Sequence, residues 1–240
     1  MLRKHLFAYL LYFFGMMFPF SHGDIVFPSL ITIAEKMVDE PLPHYPRYSF
    51  GSAMLAYTYR GLFDATKKIK LEKTAHVLPV SYEFLQLWSW EYLPVGSPLI
   101  ASREKIHPYS FRQEEHGPLT FASRWTHARR RWSTLAVHSS YPEYHKAFER
   151  LDETSITCNP WTDADLHVVW SDQPITPDCL RDSNFWMTRY KLLFMWMVEP
   201  YNPERVMQQF GVYQAVPPPP PRRVDDETHT QDNKGQNWCD

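Results

Sequence analysis

Five consecutive prolines, Pro217 to Pro221, limit what this chain can fold into. Proline fixes φ and lacks a backbone N–H, so such a run extends neither a helix nor a strand ladder and favours polyproline II. The residues that follow, Arg222 to Asp240, are polar and charged with one isolated aromatic, Trp238. That composition is typical of disorder. We therefore predict a folded domain over residues 1–216 and a disordered, proline-rich tail over residues 217–240.

The segment before the prolines can form one sizeable core. The chain has 240 residues, of which 44% are hydrophobic and 16% aromatic, enough to bury a core rich in large rings. Its formal net charge of −2 argues against a global field that would coat nucleic acid or a membrane. The three cysteines, Cys158, Cys179 and Cys239, form no C-x-x-C pair, which favours a reducing compartment over disulfides or a cysteine zinc site.

Helical signals dominate this domain. Gly51 to Thr66 offers Ser52 as an N-cap, and Ser81 to Leu93 ends before Pro94. Apolar residues recur at helical spacing from Phe121 to Leu135, and Ser140 and Pro142 are expected to open a further helix in which Tyr144, Phe148 and Leu151 share a face. A last helix is predicted from the cap Asn202 and the first-turn Pro203 to a left-handed Gly211.

Strand signals are few. Leu166 to Trp170 and Leu192 to Val198 are short apolar runs bounded by turn or helix signals, and each is predicted to be a strand. The sequence therefore predicts a mainly α fold: a single helical domain with a minor β element.

The apolar run from Leu6 to Phe20 follows Arg3 and Lys4, so a secretory signal at residues 1–23 is one interpretation. The run lacks an A-x-A-like cleavage site and contains Gly15 and Pro19. It is also short for a membrane span, so a core helix is favoured and no membrane association is expected.

Short catalytic and cofactor motifs are missing from the sequence. H-E-x-x-H, G-x-S-x-G, G-x-x-x-x-G-K-[ST] and G-x-G-x-x-G do not occur. The Asp225–Glu227 triplet lies in the predicted tail, where it cannot assemble a metal site. We predict no catalytic residue, no metal and no cofactor.

One dense basic cluster lies between Arg124 and Trp132. If its helix buries Trp125 and Trp132, four arginines remain exposed: Arg124, Arg129, Arg130 and Arg131. They are candidate contacts for DNA or RNA phosphates. A solvated helix face is the alternative reading.

Four sequence blocks resemble the plant mobile domain family, also called aminotransferase-like plant mobile domain, in that family's order. They are G-S-A-M-L-A-Y-T-Y-R-G-L-F-D (Gly51–Asp64), L-Q-L-W-S-W-E-Y-L-P-V-G-S-P (Leu85–Pro98), Tyr144–Trp161, and N-P-E-R-V-M-Q-Q-F-G-V-Y-Q-A-V-P (Asn202–Pro217). In the third block the family's tryptophan and final tyrosine are replaced by Cys158 and Trp161. The resemblance also implies a buried helix near Phe7–Gly15 and further helices upstream, which this chain would lack.

The resemblance implies a nuclear, transposon-related plant protein that supports transposon silencing, genome stability and meristem maintenance. It implies no assigned reaction, and no residue here supports aminotransferase chemistry. Protein partners in a nuclear complex are therefore expected, through exposed aromatics and the proline tail, which can dock in polyproline-binding grooves or serve as a spacer. A nucleic-acid-binding protein derived from a mobile element is the alternative, and a remnant enzyme is a third.

These blocks, together with the segment M-V-E-P-Y (Met197–Tyr201), also supply residues with an expected structural role. Arg205 stands at a helix start, where the dipole disfavours a cation, so a carboxylate partner is expected and Glu199 is the candidate. The full set is Trp88, Trp90, Glu91, Pro94, Glu199, Pro203, Arg205, Val206, Gln209, Phe210 and Gly211.

Overall fold

The structure, a computed structural model, describes residues 2–19, 26–40, 48–70, 78–93, 95–97, 125, 137–160, 179 and 181–217. These residues fall into two compact units. The first unit contains the described residues up to Leu85 and the segment Arg189–Asn202. The second contains the described residues from Gln86 to Thr188 and the segment Pro203–Pro217.

Three helices and a hairpin build the first unit. The helices are α1 (Leu2–Met17), α2 (Pro28–Asp39) and α3 (Phe50–Lys70). Pro28 stands in the first turn of α2, where its missing N–H costs no helical hydrogen bond. The N-cap prediction for α3 is wrong, because the helix begins two residues before Ser52 and the carbonyl of Ser49 accepts the first helical hydrogen bond, from Ala53 N–H at 3.0 Å.

The predicted strand Leu192–Val198 is instead a tight antiparallel hairpin. Strand β1 spans Tyr190–Phe194 and β2 spans Met197–Tyr201, with Phe194 paired to Met197 across a two-residue turn. Met195 enters that turn with φ 52°, a conformation that few non-glycine residues adopt. An apolar run has the same composition whether or not it reverses, so the sequence did not indicate this turn.

Aromatic rings fill the core of the first unit between α3 and the hairpin. Phe18 stacks on Phe194 with ring centroids 4.3 Å apart, and both rings contact the edge or face of Tyr57. Phe27 meets Phe194 edge-on at 5.4 Å, an arrangement that aromatic pairs prefer. The side chains of Phe18 and Leu192 are fully buried. The hairpin is therefore held to the helices mainly by ring packing.

Helix α4 spans Tyr82–Tyr92, and its residues from Gln86 onward belong to the second unit. That unit also contains α5 (Val137–Glu149). The prediction for α4 is confirmed, since Ser81 accepts its first hydrogen bond and the helix stops before Pro94. For α5 the prediction is wrong at its start. The helix begins at Val137 and carries Pro142 in its interior.

The predicted helix from Asn202 to Gly211 is two short 3-10 turns, Pro203–Arg205 and Met207–Phe210. The break falls at Val206, whose φ of −137° and ψ of 33° leave the helical region. The predicted end is confirmed, because Gly211 closes the second turn with φ 70°, the left-handed conformation that glycine adopts without steric cost.

The mainly helical fold with one small sheet is thus confirmed. Three predicted features lie outside the described residues: the helix Phe121–Leu135 apart from Trp125, the strand Leu166–Trp170, and the tail beyond Pro217. The predicted helix over the N-terminal apolar run is present as α1, which buries Leu10 and Phe14. None of the helices in the described ranges combines the length and apolar character that crossing a membrane requires.

Candidate functional site

A largely buried ion pair joins α3 to the hairpin within the first unit. Arg60 of α3 and Glu199 of β2 approach with Nε and Oε1 2.8 Å apart, and their side chains are 13% and 14% exposed. The Nε–H is not aimed at this oxygen, so charge attraction rather than a linear hydrogen bond carries the contact. A pair this shielded from water interacts more strongly than one on the surface.

This contact corrects the prediction that Glu199 partners Arg205. The structure gives Glu199 a different cation, Arg60, and leaves Arg205 exposed. The expectation assumed a continuous helix with its dipole at Arg205. A three-residue 3-10 turn stands there instead, so a cation meets little dipole and needs no carboxylate.

Three tyrosines pack at the same end of the hairpin. Tyr190 and Tyr201 pair across the strands with ring centroids 4.7 Å apart. Burial is the main cause that raises the pKa of Tyr59, and the nearby Tyr190 raises it further. Burial is also the main cause that raises the pKa of Tyr201, with smaller effects in the same direction from Tyr190 and Tyr59. The raised pKa values favour the neutral phenols of Tyr59 and Tyr201.

A groove runs along β1 in the first unit. Its volume is about 350 Å³, and its walls come from β1 with its turn, the start of α3, part of α2 and Phe18. Most of its lining side chains are apolar or aromatic, including Leu30, Phe50 and Leu193, and the one charged side chain in that lining is Lys191. A mostly apolar wall with a single cation is suited to binding rather than to acid–base chemistry.

In the second unit, the W-S-W-E block forms a packed cluster. Trp125 Nε1–H donates a 2.5 Å hydrogen bond to Oε1 of the buried Glu91. Trp90 lies 5.2 Å from Trp125 between ring centroids, and Trp88 stacks on Tyr92 at 5.1 Å. Trp125 is 9% exposed, so its ring is not available for stacking on a base.

The turn that follows Pro203 is held by one glutamine that the sequence reasoning did not select. Gln214 Oε1 accepts from Met207 N–H at 2.9 Å, and its Nε2 donates to the carbonyls of Glu204 at 2.9 Å and Ala215 at 2.8 Å. Met207 N–H and the carbonyl of Glu204 are backbone groups that the interrupted helix leaves without helical partners. Gln214 therefore takes over the hydrogen bonds lost at Val206.

The predicted site residues are divided between the two units. Glu199 lies in the first unit, whereas Trp88, Trp90, Glu91, Pro203, Arg205, Val206, Gln209, Phe210 and Gly211 lie in the second. Pro94 and the four arginines, Arg124, Arg129, Arg130 and Arg131, lie outside the described residues. Among the described residues no cluster of three or more His, Cys, Asp or Glu side chains could hold a metal ion.

Sequence reasoning also missed Arg60. A signal was present, because Arg60 follows the buried Ala56 by one helical turn and so shares its face. An arginine on a buried face requires an acidic partner. Arg60 was therefore a better candidate than Arg205 for the cation that pairs with Glu199.

Large apolar side chains are exposed on α1 in a regular stripe. Leu2, Leu6, Tyr9, Phe13 and Met16 follow one another at intervals of four and three residues and are 39% to 83% exposed. This spacing places them on one helix face. In the second unit Tyr141 and Phe148 of α5 are also exposed, at 69% and 52%.

In the residues that the structure describes, these features define a class of protein: a mainly helical module that presents apolar side chains at its surface. Comparison with known proteins makes the assignment specific. The plant mobile domain family matches residues 2–240, and this chain belongs to that family. No solved structure is significantly similar to it.

Two relatives come from Arabidopsis thaliana. A serine/threonine-protein phosphatase 7 long form homolog is 32% identical over 181 residues, which cover 71% of this chain and 12% of that protein. Protein MAINTENANCE OF MERISTEMS is 26% identical over 232 residues, which cover 96% of this chain and 41% of that protein. The chain therefore spans less than half of the length of either relative.

Proposed function

We propose that this chain is a non-enzymatic interaction module that acts in the nucleus, within a protein complex supporting transposon silencing, genome stability and meristem maintenance. The observation that carries the proposal is membership of the plant mobile domain family, together with similarity to Protein MAINTENANCE OF MERISTEMS over 96% of this chain. The role in meristems is carried over from that relative's name.

The exposed apolar side chains support a binding role. The stripe on α1 and the aromatic rings on α5 cost free energy while they face water. An exposed apolar surface such as the stripe on α1 marks an interaction site in many proteins. A partner that covers these side chains would recover that free energy.

The use of buried charges supports a non-enzymatic role. Arg60 is committed to Glu199, and Glu91 to the indole of Trp125. Catalytic acids and bases instead face a cleft where substrate can reach them. In the described residues the buried charged groups thus serve packing.

The proposal is tested first in plant cells. A fluorescent fusion of the full chain is expected in the nucleus, and in nuclear extracts it should elute in assemblies well above its monomer mass. Depleting the chain is expected to raise transposon transcripts. A cytoplasmic fusion that elutes as a monomer, with transposon transcripts unchanged after depletion, would overturn the proposal.

Assays on the purified chain distinguish this proposal from two alternatives, an enzyme and a nucleic-acid-binding protein. Hydrolysis of a generic phosphomonoester such as p-nitrophenyl phosphate would contradict the non-enzymatic assignment. Salt-sensitive binding to DNA or RNA that is lost when Arg124, Arg129, Arg130 and Arg131 are replaced by glutamate would replace it with a nucleic-acid-binding function, because phosphate contacts weaken as salt rises. Neither activity is expected.

A further inference from the structure

Considering only the residues that the structure describes, the hairpin of the first unit has one open edge and one edge blocked by proline. Lys191 pairs with Pro200, and because proline has no N–H this must be a non-hydrogen-bonded pair of the antiparallel ladder. The pair Phe194–Met197 that flanks the turn then falls on a hydrogen-bonded position, as a two-residue hairpin requires. The alternation directs the backbone groups of Lys191 and Leu193 away from β2.

The outer edges of the two strands therefore differ. On β2 the outward positions are Val198 and Pro200, and Pro200 offers no donor. On β1 both outward residues, Lys191 and Leu193, keep their N–H and C=O groups. Neither makes a backbone hydrogen bond across that edge to any residue in the described ranges. An unpaired edge of this kind is a template for another strand.

The apolar groove lies along this open edge. Its lining includes Tyr190, Lys191, Leu193, Phe194 and Met195, and no described residue of β2. The opposite walls come from the helices and from the residues next to them, namely Phe18, Leu30, Ile33, Phe50 and Ala53. A strand added to β1 would thus bring every second side chain against these walls.

The charge at the groove indicates the chemistry of its occupant. Lys191 is exposed and is the one charged residue in the described lining. It shares the outer face of β1 with Leu193, whereas Leu192 and Phe194 point to the core. A carboxylate on the added strand would complement Lys191. A second copy of β1 would bring a second lysine and no acid.

We propose that the open edge of β1 is a docking site for an extended peptide segment of a partner protein. The segment is apolar at alternate positions and carries an acidic side chain beside Lys191. Its backbone pairs with the N–H and C=O groups of Lys191 and Leu193, as in other complexes formed by strand addition. This inference rests on the proposed function and names the surface that the interaction would use.

The probe is a fluorescein-labelled peptide, Thr-Val-Glu-Val-Thr-Val-Thr, titrated into the full chain by fluorescence anisotropy. Its valines would face the groove and its glutamate the outer side. Binding with a Kd below about 1 mM is expected, the weak end of specific recognition. Changing the glutamate to lysine should raise Kd, and pairing that peptide with Lys191→Glu should restore binding. No detectable binding would overturn the proposal.

Two proline substitutions form a matched pair. Leu193→Pro removes an outward N–H from the open edge, whereas Val198→Pro removes one from the edge that Pro200 already blocks. Leu193→Pro is expected to raise Kd at least tenfold, because a peptide acceptor loses its donor on binding. Val198→Pro should leave Kd within about twofold, since its edge carries no peptide in the proposed complex. Equal effects of both variants would contradict docking on β1.

The peptide backbone gives a test that does not depend on how the variants fold. N-methylation of the peptide nitrogens that face β1 should abolish binding to the unmodified chain, and N-methylation of the alternate nitrogens should not. Equal effects at both sets would show that binding is not strand addition. Concentration-dependent dimers that Leu193→Pro converts to monomers would assign the edge to a second copy and overturn the peptide proposal.

The peptide-binding experiments and the experiments in plant cells can fail independently of each other. A cytoplasmic fusion with normal peptide binding would overturn the nuclear function and leave the docking site standing. A nuclear complex that forms normally with Leu193→Pro, together with no peptide binding, would remove the docking site and leave the proposed function standing.

Discussion

Replacing Arg60 with methionine tests how much the ion pair with Glu199 stabilises the packing of the hairpin on α3. Methionine keeps an apolar stem of comparable length and removes the charge, so the carboxylate of Glu199 loses its cation. With these side chains only 13% and 14% exposed, little water can reach that carboxylate. Removing one partner of a buried pair costs about 3–5 kcal/mol, and the partial exposure places the expected loss near 3 kcal/mol.

A second substitution separates the charge effect from lost packing. In Arg60→Met with Glu199→Met no charge is left buried, and replacing a whole buried pair by apolar side chains is often neutral. We expect the double variant to lie within about 1 kcal/mol of the unmodified chain, less destabilised than Arg60→Met alone. Arg205→Ala is the control, since Arg205 is exposed and such changes usually stay within about 0.5 kcal/mol.

Thermal unfolding followed by circular dichroism gives the magnitude. A loss near 3 kcal/mol corresponds to a fall in Tm of roughly 6–12 °C for a domain of 150–250 residues. Because the chain has two units, hydrogen exchange by mass spectrometry on peptides covering β1 and β2 should locate the loss in the hairpin. A Tm for Arg60→Met within 1 °C of the unmodified chain, or a double variant as unstable as the single one, would refute this reasoning.

Three further predictions concern stability, each measured by thermal unfolding. Gly61→Ala should destabilise by about 1–3 kcal/mol through overpacking, because its Cβ would lie 1.9 Å from the carbonyl oxygen of Pro79. The control is Gly51→Ala in the same helix, whose Cβ meets nothing within 4 Å and which should be neutral or stabilising. Equal effects of the two variants would contradict the close approach at Gly61. Burial, with a smaller effect from the neighbouring Tyr82, raises the pKa of Tyr57 to about 12. In the unfolded chain the phenol ionises near its ordinary pKa of 10.0, whereas in the folded chain it keeps its proton up to about pH 12. The free energy of unfolding should therefore fall as the pH rises from 10 to 12, and it should fall less steeply in Tyr57→Phe. The same pH dependence in both proteins would contradict this prediction. Gln214→Leu should cost about 1–3 kcal/mol by stranding backbone groups. Gln214→Glu should not recover that loss, because it keeps the acceptor but sets a carboxylate oxygen against the carbonyls of Glu204 and Ala215; no loss in either variant would show that water replaces the side chain.

Elements fixed by local chemistry were predictable. The extent of α4 follows from Ser81 at its start and Pro94 after its end, both of which act on adjacent backbone. Gly211 takes the left-handed conformation expected after a helical turn. In both cases the residues that decide the structure are neighbours in sequence.

Elements that depend on distant contacts were not predictable in the same way. The run from Leu192 to Val198 reverses at Met195, although no glycine or asparagine marks a turn. Pairing of the strands and packing of Phe194 in the aromatic core override the conformational cost at Met195. Near Val206 the predicted helix divides, because Gln214 supplies the backbone hydrogen bonds from outside the helix.

The sequence by itself determined the family, the helical character of the chain and the positions where local signals start or stop an element. These depend on motif order and on residues within one turn of each other. Only the tertiary structure decided which charges meet, which strand edge stays open and where the groove lies. Arg60 and Glu199 lie far apart in the chain. Their contact follows from the packing of β2 on α3, which periodicity along the sequence does not encode.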